Sequence, residues 1–227
     1  METLVVFLII LLAVVFWIWQ SYSAAKRQKE LAAWATAKHL RFDPSRDYAF
    51  GGRFTAFRCL NEGSQRYAYN RMHGEWLGQE FVAFDFHYET YTTDSKGRTQ
   101  THHHHFSAAI LGTSVPLKSL YIRPEGLLDK LTEFLGFDDI DFESLEFSRR
   151  FYVKATDRRW AYDVVHPRVM EFLLTSPAFS IQFDAHHVIA YRASLFSAQE
   201  FGSAVEVIGG ILSRLPEYLV KQQASGS

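Results

Sequence analysis

The chain has 227 residues, with 24 basic against 25 acidic side chains, and the resulting formal net charge of −1 excludes a global field that would draw it to nucleic acid. Aromatic residues make up 16% of it, 20 of them Phe, which excludes a disordered, solvating polypeptide and argues for a packed core. A single cysteine, Cys59, excludes a disulfide framework.

Leu4 to Trp19 is an unbroken apolar run, and no charged side chain occurs between Thr3 and Ala25. As a helix rising ~1.5 Å per residue, that segment would span roughly 34 Å, enough for a hydrocarbon core of about 30 Å. Trp17, Trp19 and Tyr22 cluster at one end, where amphipathic rings settle at headgroup depth. The run predicts a transmembrane anchor over residues 1–25, with the lipid bilayer as partner through residues 4–25. Its competitor is a cleaved signal peptide, for which Ser21-Tyr22-Ser23 before Ala24 would serve as the cleavage site. That reading lacks a basic n-region and needs a shorter apolar core; a buried core helix is the third alternative. Lys26, Arg27 and Lys29 follow the run and no Lys or Arg precedes it, which predicts a cytoplasmic body by the positive-inside bias.

Residues 26–40 predict a juxtamembrane helix, with Leu31 and Trp34 at helical spacing and no Pro or Gly before Pro44. From Arg41 to Ile122 the pattern is mostly strand. Val82, Phe84, Phe86 and Tyr88 alternate with Asp85, His87 and Glu89, the signature of a half-buried antiparallel strand. Leu77-Gly78 marks one turn, Thr93 to Arg98 a polar hairpin tip, and Thr99 to Leu111 the returning strand. Pro116 to Arg123 adds one more strand.

In the second half, Pro124 to Leu135 reads as a helix closed by Gly136, and the acidic loop Asp138, Asp139, Asp141, Glu143 follows. Phe147 to Lys154 reads as a strand, Asp157 as the cap of a short helix ending at Val165, and Pro167 as the start of another reaching Leu174. Ala178 to Phe183 and Val188 to Ala193 suggest a hairpin. Ser197 caps a long amphipathic C-terminal helix with bends expected at Gly209-Gly210 and Pro216. The predicted fold class is α+β: one N-terminal transmembrane helix, then a largely antiparallel sheet body with helices and a long C-terminal amphipathic helix. The soluble α+β body covers 41–222, with sub-lobes 41–123 and 124–222, and 223–227 forms a tail.

Phe134-Leu-Gly-Phe-Asp-Asp-Ile-Asp-Phe-Glu-Ser, then Phe147-Ser-Arg-Arg-Phe-Tyr-Val, then Ala161-Tyr-Asp-Val-Val-His-Pro-Arg-Val-Met-Glu-Phe-Leu-Leu resembles a group of bacterial membrane-anchored proteins known as a domain of unknown function. The match lies mainly over residues 120–195. The resemblance implies a bacterial membrane protein and brings no activity or catalytic residue with it.

Candidate chemistry concentrates in His102-His103-His104-His105. Neighbouring side chains on a strand point to opposite faces, so two of the four can converge. With an even-numbered loop around Lys96-Gly97, His104 falls opposite Glu89 and His102 opposite Tyr91, with His87 on the same polar face. His87, Glu89, His102 and His104 would then offer imidazole and carboxylate ligands suited to zinc. The bland reading of the same residues is a solvated hairpin end. Asp138, Asp139, Asp141 and Glu143 could attract calcium, but lack the spacing and central Gly of a twelve-residue calcium loop, and Arg149, Arg150, Arg158 and Arg159 offer internal ion pairs instead. No G-x-S-x-G, phosphate-cradling Gly-rich loop, H-E-x-x-H or C-x-x-C occurs, so no catalytic or cofactor-binding residue is assigned.

Two function classes follow. The first is a single-pass membrane protein whose cytoplasmic body is a non-enzymatic interaction domain for a membrane or cytoplasmic protein. The alternative is a metal-binding protein or metal-dependent hydrolase centred on the His87/Glu89/His102/His104 hairpin. Headgroup binding by the basic stalk is weaker, since three charges supply only about 3 kcal/mol at an anionic surface.

Overall fold

The structure is a computed structural model that describes residues 2–126 and 138–224. Side chains are not described at residues 4–6, 8–9, 13, 16–21, 138 and 221–224, among others near the N terminus.

Helix α1 (Glu2–Ala37) leads into strand β1 (Arg41–Asp43), a short helix α2 (Phe50–Arg53) and a 3-10 turn at Arg58–Leu60. Three long strands follow: β2 (Ser64–Trp76), β3 (Gln79–Thr93) and β4 (Thr99–Gly112). Next come β5 (Leu120–Pro124), β6 (Asp138–Asp139), α3 (Leu145–Arg150), β7 (Phe151–Ala155), α4 (Arg158–Val164) and α5 (Pro167–Thr175). The hairpin β8 (Ser180–Phe183) and β9 (His187–Arg192) precedes α6 (Ala198–Leu212) and α7 (Glu217–Ala224).

The nine strands among the described residues join one antiparallel sheet in the order β1-β2-β3-β4-β9-β8-β5-β7-β6. The β8–β9 hairpin sits between β4 and β5, so strands from 41–123 and 124–222 interleave instead of forming two separate sheets. The period-two pattern of β3 sorts as expected. Phe84 and Phe86 pack with Phe106, Ala108 and Ile110 under Phe50, Phe57 and Leu60. On the other face Phe81, Ala83, Ala109 and Leu111 meet Leu31 and Ala35 of α1 and Phe201, Val205 and Ile208 of α6.

Local signals explain most helix starts. Ser197 and Glu200 form a capping box at α6, and the Asp157 side chain accepts from the Trp160 amide at 3.1 Å. Pro167 stands in the first turn of α5, where its missing amide costs nothing. Leu77 and Gly78 both adopt positive φ, 53° and 73°, the two-residue turn that suits the twist of β2 and β3.

Several expectations are corrected. Among the described residues no helix is long and apolar enough to cross a membrane, which overturns the transmembrane helix expected over residues 1–25. The apolar run is not a segment apart: it continues without a break into a 36-residue helix whose later half docks on the sheet through Arg27, Leu31 and Ala35. Much of the run's side-chain set lies outside the described residues. The bilayer contact through residues 4–25 and the single-pass placement lose that support. Pro124 ends strand β5 instead of opening a helix, and the rest of that predicted helix, 127–135, lies outside the described residues. The strand expected from Phe147 begins only at Phe151, because the Ser144 hydroxyl accepts from the Phe147 amide at 3.3 Å and caps α3. Gly209-Gly210 does not interrupt α6; a Cβ on Gly210 would stand 2.2 Å from the Phe172 ring, so this glycine admits a close neighbour. The break comes later, at Ser213 to Pro216.

Candidate functional site

The β3–β4 ribbon turns through an odd loop. Thr93 pairs with Thr99, which leaves five residues, Asp94 to Arg98, at the tip. The Asp94 carboxylate accepts from the amides of Lys96 and Arg98 at 2.8 and 2.9 Å, and Gly97 takes a φ of 77°. This is a turn closed by a left-handed glycine, and it fixes register. Glu89 therefore faces His103, Thr90 faces His102, Tyr88 faces His104 and His87 faces His105.

That one-residue difference from an even loop moves the whole histidine run to the opposite set of faces. His103 and His105 share the α1 side with His87 and Glu89. His102 and His104 point the other way, where their Nε2 atoms lie 2.8 Å from the hydroxyls of Thr92 and Thr90, and His104 stacks on Tyr88 with ring centroids 4.6 Å apart. The predicted foursome His87/Glu89/His102/His104 is thus not brought together. The assembled set is His87, Glu89 and His103, whose ligating atoms lie within 4.8 Å of one another.

Below this cluster on the same face of β3 is Asp85, fully buried. Arg27 of α1 grips it bidentately, Nη1 to Oδ2 at 2.5 Å and Nη2 to Oδ1 at 2.9 Å, and also donates to the Phe196 carbonyl at 2.7 Å. Asn70 donates to Asp85 at 2.9 Å and Ser107 at 2.5 Å, while the Ser107 oxygen accepts from the Phe196 amide. Such a set of donors offsets the cost of burying a carboxylate. Sequence reasoning took Arg27 for a membrane-flanking charge; Asp85, in the middle of a strand and between two Phe, was the signal that a cation had to reach it. Arg27 is thus engaged inside the body, while Lys26 lies on the exposed side of the helix, 3.9 Å from Glu30.

The histidine cluster is built differently. His87 is 5% exposed, and Tyr67 stacks on it at 4.6 Å between centroids. Its Nδ1 lies 3.2 Å from the Gln65 carbonyl, which can only accept, so the proton sits on Nδ1 and the Nε2 lone pair faces outward. His103 Nδ1 lies 3.2 Å from that Nε2 and 3.3 Å from Glu89 Oε1. Gln65 itself has a φ of 50°, at a register shift between Ser64 and Tyr67 that turns its carbonyl toward His87. Beside the cluster, burial pushes the Tyr69 phenol far above its ordinary range, with the Asp85 charge adding to it. Burial likewise lowers the His105 pKa, with His87 adding to it. The Tyr69 hydroxyl lies 3.2 Å from His105 Nδ1. Arg46, Tyr48, Gln65 and Tyr67 join these histidines and Glu89 around an open cavity of about 380 Å³.

The other candidates disperse. Asp139 is committed to Lys154 at 3.3 Å and to the Tyr152 hydroxyl, and its carboxyl is held below the usual range chiefly by that hydroxyl. Cys59 is buried beneath the ribbon's other face, beside Tyr88 and Tyr191.

No protein-family model matches this sequence, and no curated protein matches it. Among solved structures, the crystal structure of the mycobacterial trehalose monomycolate transport factor A is similar with a TM-score of 0.63, covering 83% of this chain and 96% of that one at 14% identity. The likeness is one of fold. It spans nearly the whole of the transport factor's chain.

Proposed function

We propose that this chain is a non-enzymatic accessory module in a transport process, acting through contacts with a partner protein. The observation that carries the reading is the whole-length likeness to a protein named as a transport factor, 96% of which is covered at a TM-score of 0.63. The extended β3–β4 ribbon adds support, since it projects polar and aromatic side chains beyond the body: Tyr91 is 52% exposed, with Thr92, Thr93 and the loop Asp94 to Arg98 around it. A projecting ribbon is a surface that can be read by a partner.

The test is photo-crosslinking of the full chain in its native cells, with the crosslinker placed at Tyr91 and separately at Tyr218. The expected result is a transport protein captured from one of these positions and not the other. If no transport protein is captured from either position, the accessory reading fails.

A further inference from the structure

We propose that His87, Glu89 and His103 form a binding site for a divalent transition metal ion of the zinc class, with its remaining position open to solvent. The inference stands apart from the accessory reading and survives its failure.

The donor atoms are spaced for an ion. Zinc bonds to nitrogen and carboxylate oxygen are about 2.0–2.2 Å, so ligands at tetrahedral angles sit about 3.3–3.5 Å from one another. His87 Nε2 to His103 Nδ1 is 3.2 Å and His103 Nδ1 to Glu89 Oε1 is 3.3 Å, and all the ligating atoms lie within 4.8 Å. Two imidazoles and one carboxylate form a borderline donor set that suits zinc, cobalt or nickel and disfavours calcium or magnesium, which take oxygen.

The supporting groups are also those of a metal ligand. A ligating histidine donates its second ring N–H to a carbonyl or carboxylate, which fixes tautomer and ring angle. His87 has this arrangement through the Gln65 carbonyl at 3.2 Å, and Tyr67 holds the ring plane from one side. Two ligands lie on β3 and one directly across on β4, so the sheet itself sets their separation. Side-chain exposure rises from 17% at Glu89 to 59% at His103, which leaves room for a water or a partner's group on the ion.

Without an ion the same atoms would form a hydrogen-bonded chain, His103 Nδ1–H shared between His87 Nε2 and Glu89. The two cases separate by titration. The probe is Co²⁺ alone, added to the purified full chain and followed by the visible absorption that four- or five-coordinate cobalt shows and the hydrated ion lacks. One Co²⁺ per chain is expected, displaced by Zn²⁺. His103→Ala and Glu89→Gln should each weaken binding by at least about 100-fold, more than outer-shell changes cost. The paired variant His102→Ala with His104→Ala removes two imidazoles from the same run but from the opposite face, and should bind as the parent does. No absorption with the parent chain overturns the site. Equal losses in the His102/His104 variant and in His103→Ala overturn it as well, since the run would then act as an unstructured imidazole patch. If Glu89→Gln does not fold, the exposed His103→Ala decides the matter alone.

Discussion

Asp85 and His87 occupy the same face of the same strand, two residues apart, and they have opposite fates. Asp85 lies under α1 and is closed in by Arg27, Asn70 and Ser107, with no exposed surface. Among the described residues, α1 bonds to this face through Arg27 and Gln28 and no further toward its N terminus. His87 lies just past that contact, and its cluster opens to a cavity. Each is served by a distortion of β2. Asn70, at a φ of 50°, turns its amide to Asp85, and Gln65, also at 50°, turns its carbonyl to His87. The difference teaches that cover, not composition, decides whether a strand's polar face becomes a structural lock or an available site.

The largest expected effect tests the lock. Arg27→Met should leave Asp85 buried without its cation and lower stability by about 3–5 kcal/mol in denaturant unfolding. A loss below about 1 kcal/mol would mean that water or Asn70 and Ser107 suffice, and the contrast between the two regions would dissolve.

The β2 distortion comes next. Asn70→Gly keeps the backbone free to hold positive φ but removes the hydrogen bond to Asp85, so about 1–2 kcal/mol is expected. Asn70→Ala should cost about 1 kcal/mol more, for the left-handed backbone it cannot adopt freely. Equal losses for the two would show that the bulge does not store backbone strain.

A smaller effect is expected where the lock is braced. The loop carrying Phe196, whose carbonyl takes Arg27, runs into the Ser197/Glu200 capping box, and Ser197→Ala should cost about 1 kcal/mol. The Ser197 amide, with Ser197's hydroxyl and Arg192 behind it, holds the Glu200 carboxyl below its ordinary 4.5. A lowered folded value means stability is fully present above pH 4.5 and falls away as pH drops through the lower folded pKa. Thermal unfolding of Glu200→Gln should therefore lose part of the acid dependence below that pH, and an unchanged acid slope would count against the cap.

The smallest effect belongs to the ribbon's other face. His102→Ala with His104→Ala should change stability by less than about 1 kcal/mol, since both side chains are only partly covered at the edge of the ribbon. A loss of several kcal/mol would mean that these histidines, with Thr90 and Thr92, form a second lock.

Much of the architecture was legible in residues 41–222. The alternation of Val82, Phe84 and Phe86 with Asp85, the caps at Asp157 and Ser197, and the hairpin across Asp184 all follow from local chemistry that tertiary packing does not override. The site was legible only in part. His87 and Glu89 were on the page, but pairing them with His102 and His104 assumed an even loop, and the five residues from Asp94 to Arg98 make it odd. Register flips every side chain at once, and one residue in a turn decides it. The Arg27–Asp85 pair spans 58 positions, so local sequence marks Asp85 as needing a partner without saying which residue supplies it. The N-terminal reading failed for a related reason: hydropathy treats residues 1–25 as a unit, whereas the helix runs unbroken to Ala37 and is tied to the sheet.

The division of the β3 face into a closed lock and an open site is tested most directly by crystals of the full chain soaked in zinc and measured at the zinc absorption edge. The account predicts one anomalous peak within about 2.3 Å of His87 Nε2, His103 Nδ1 and a Glu89 carboxylate oxygen, with Arg27 and Asp85 unmoved beneath it. No peak at this position, or a peak between His102 and His104 on the opposite face, would contradict it.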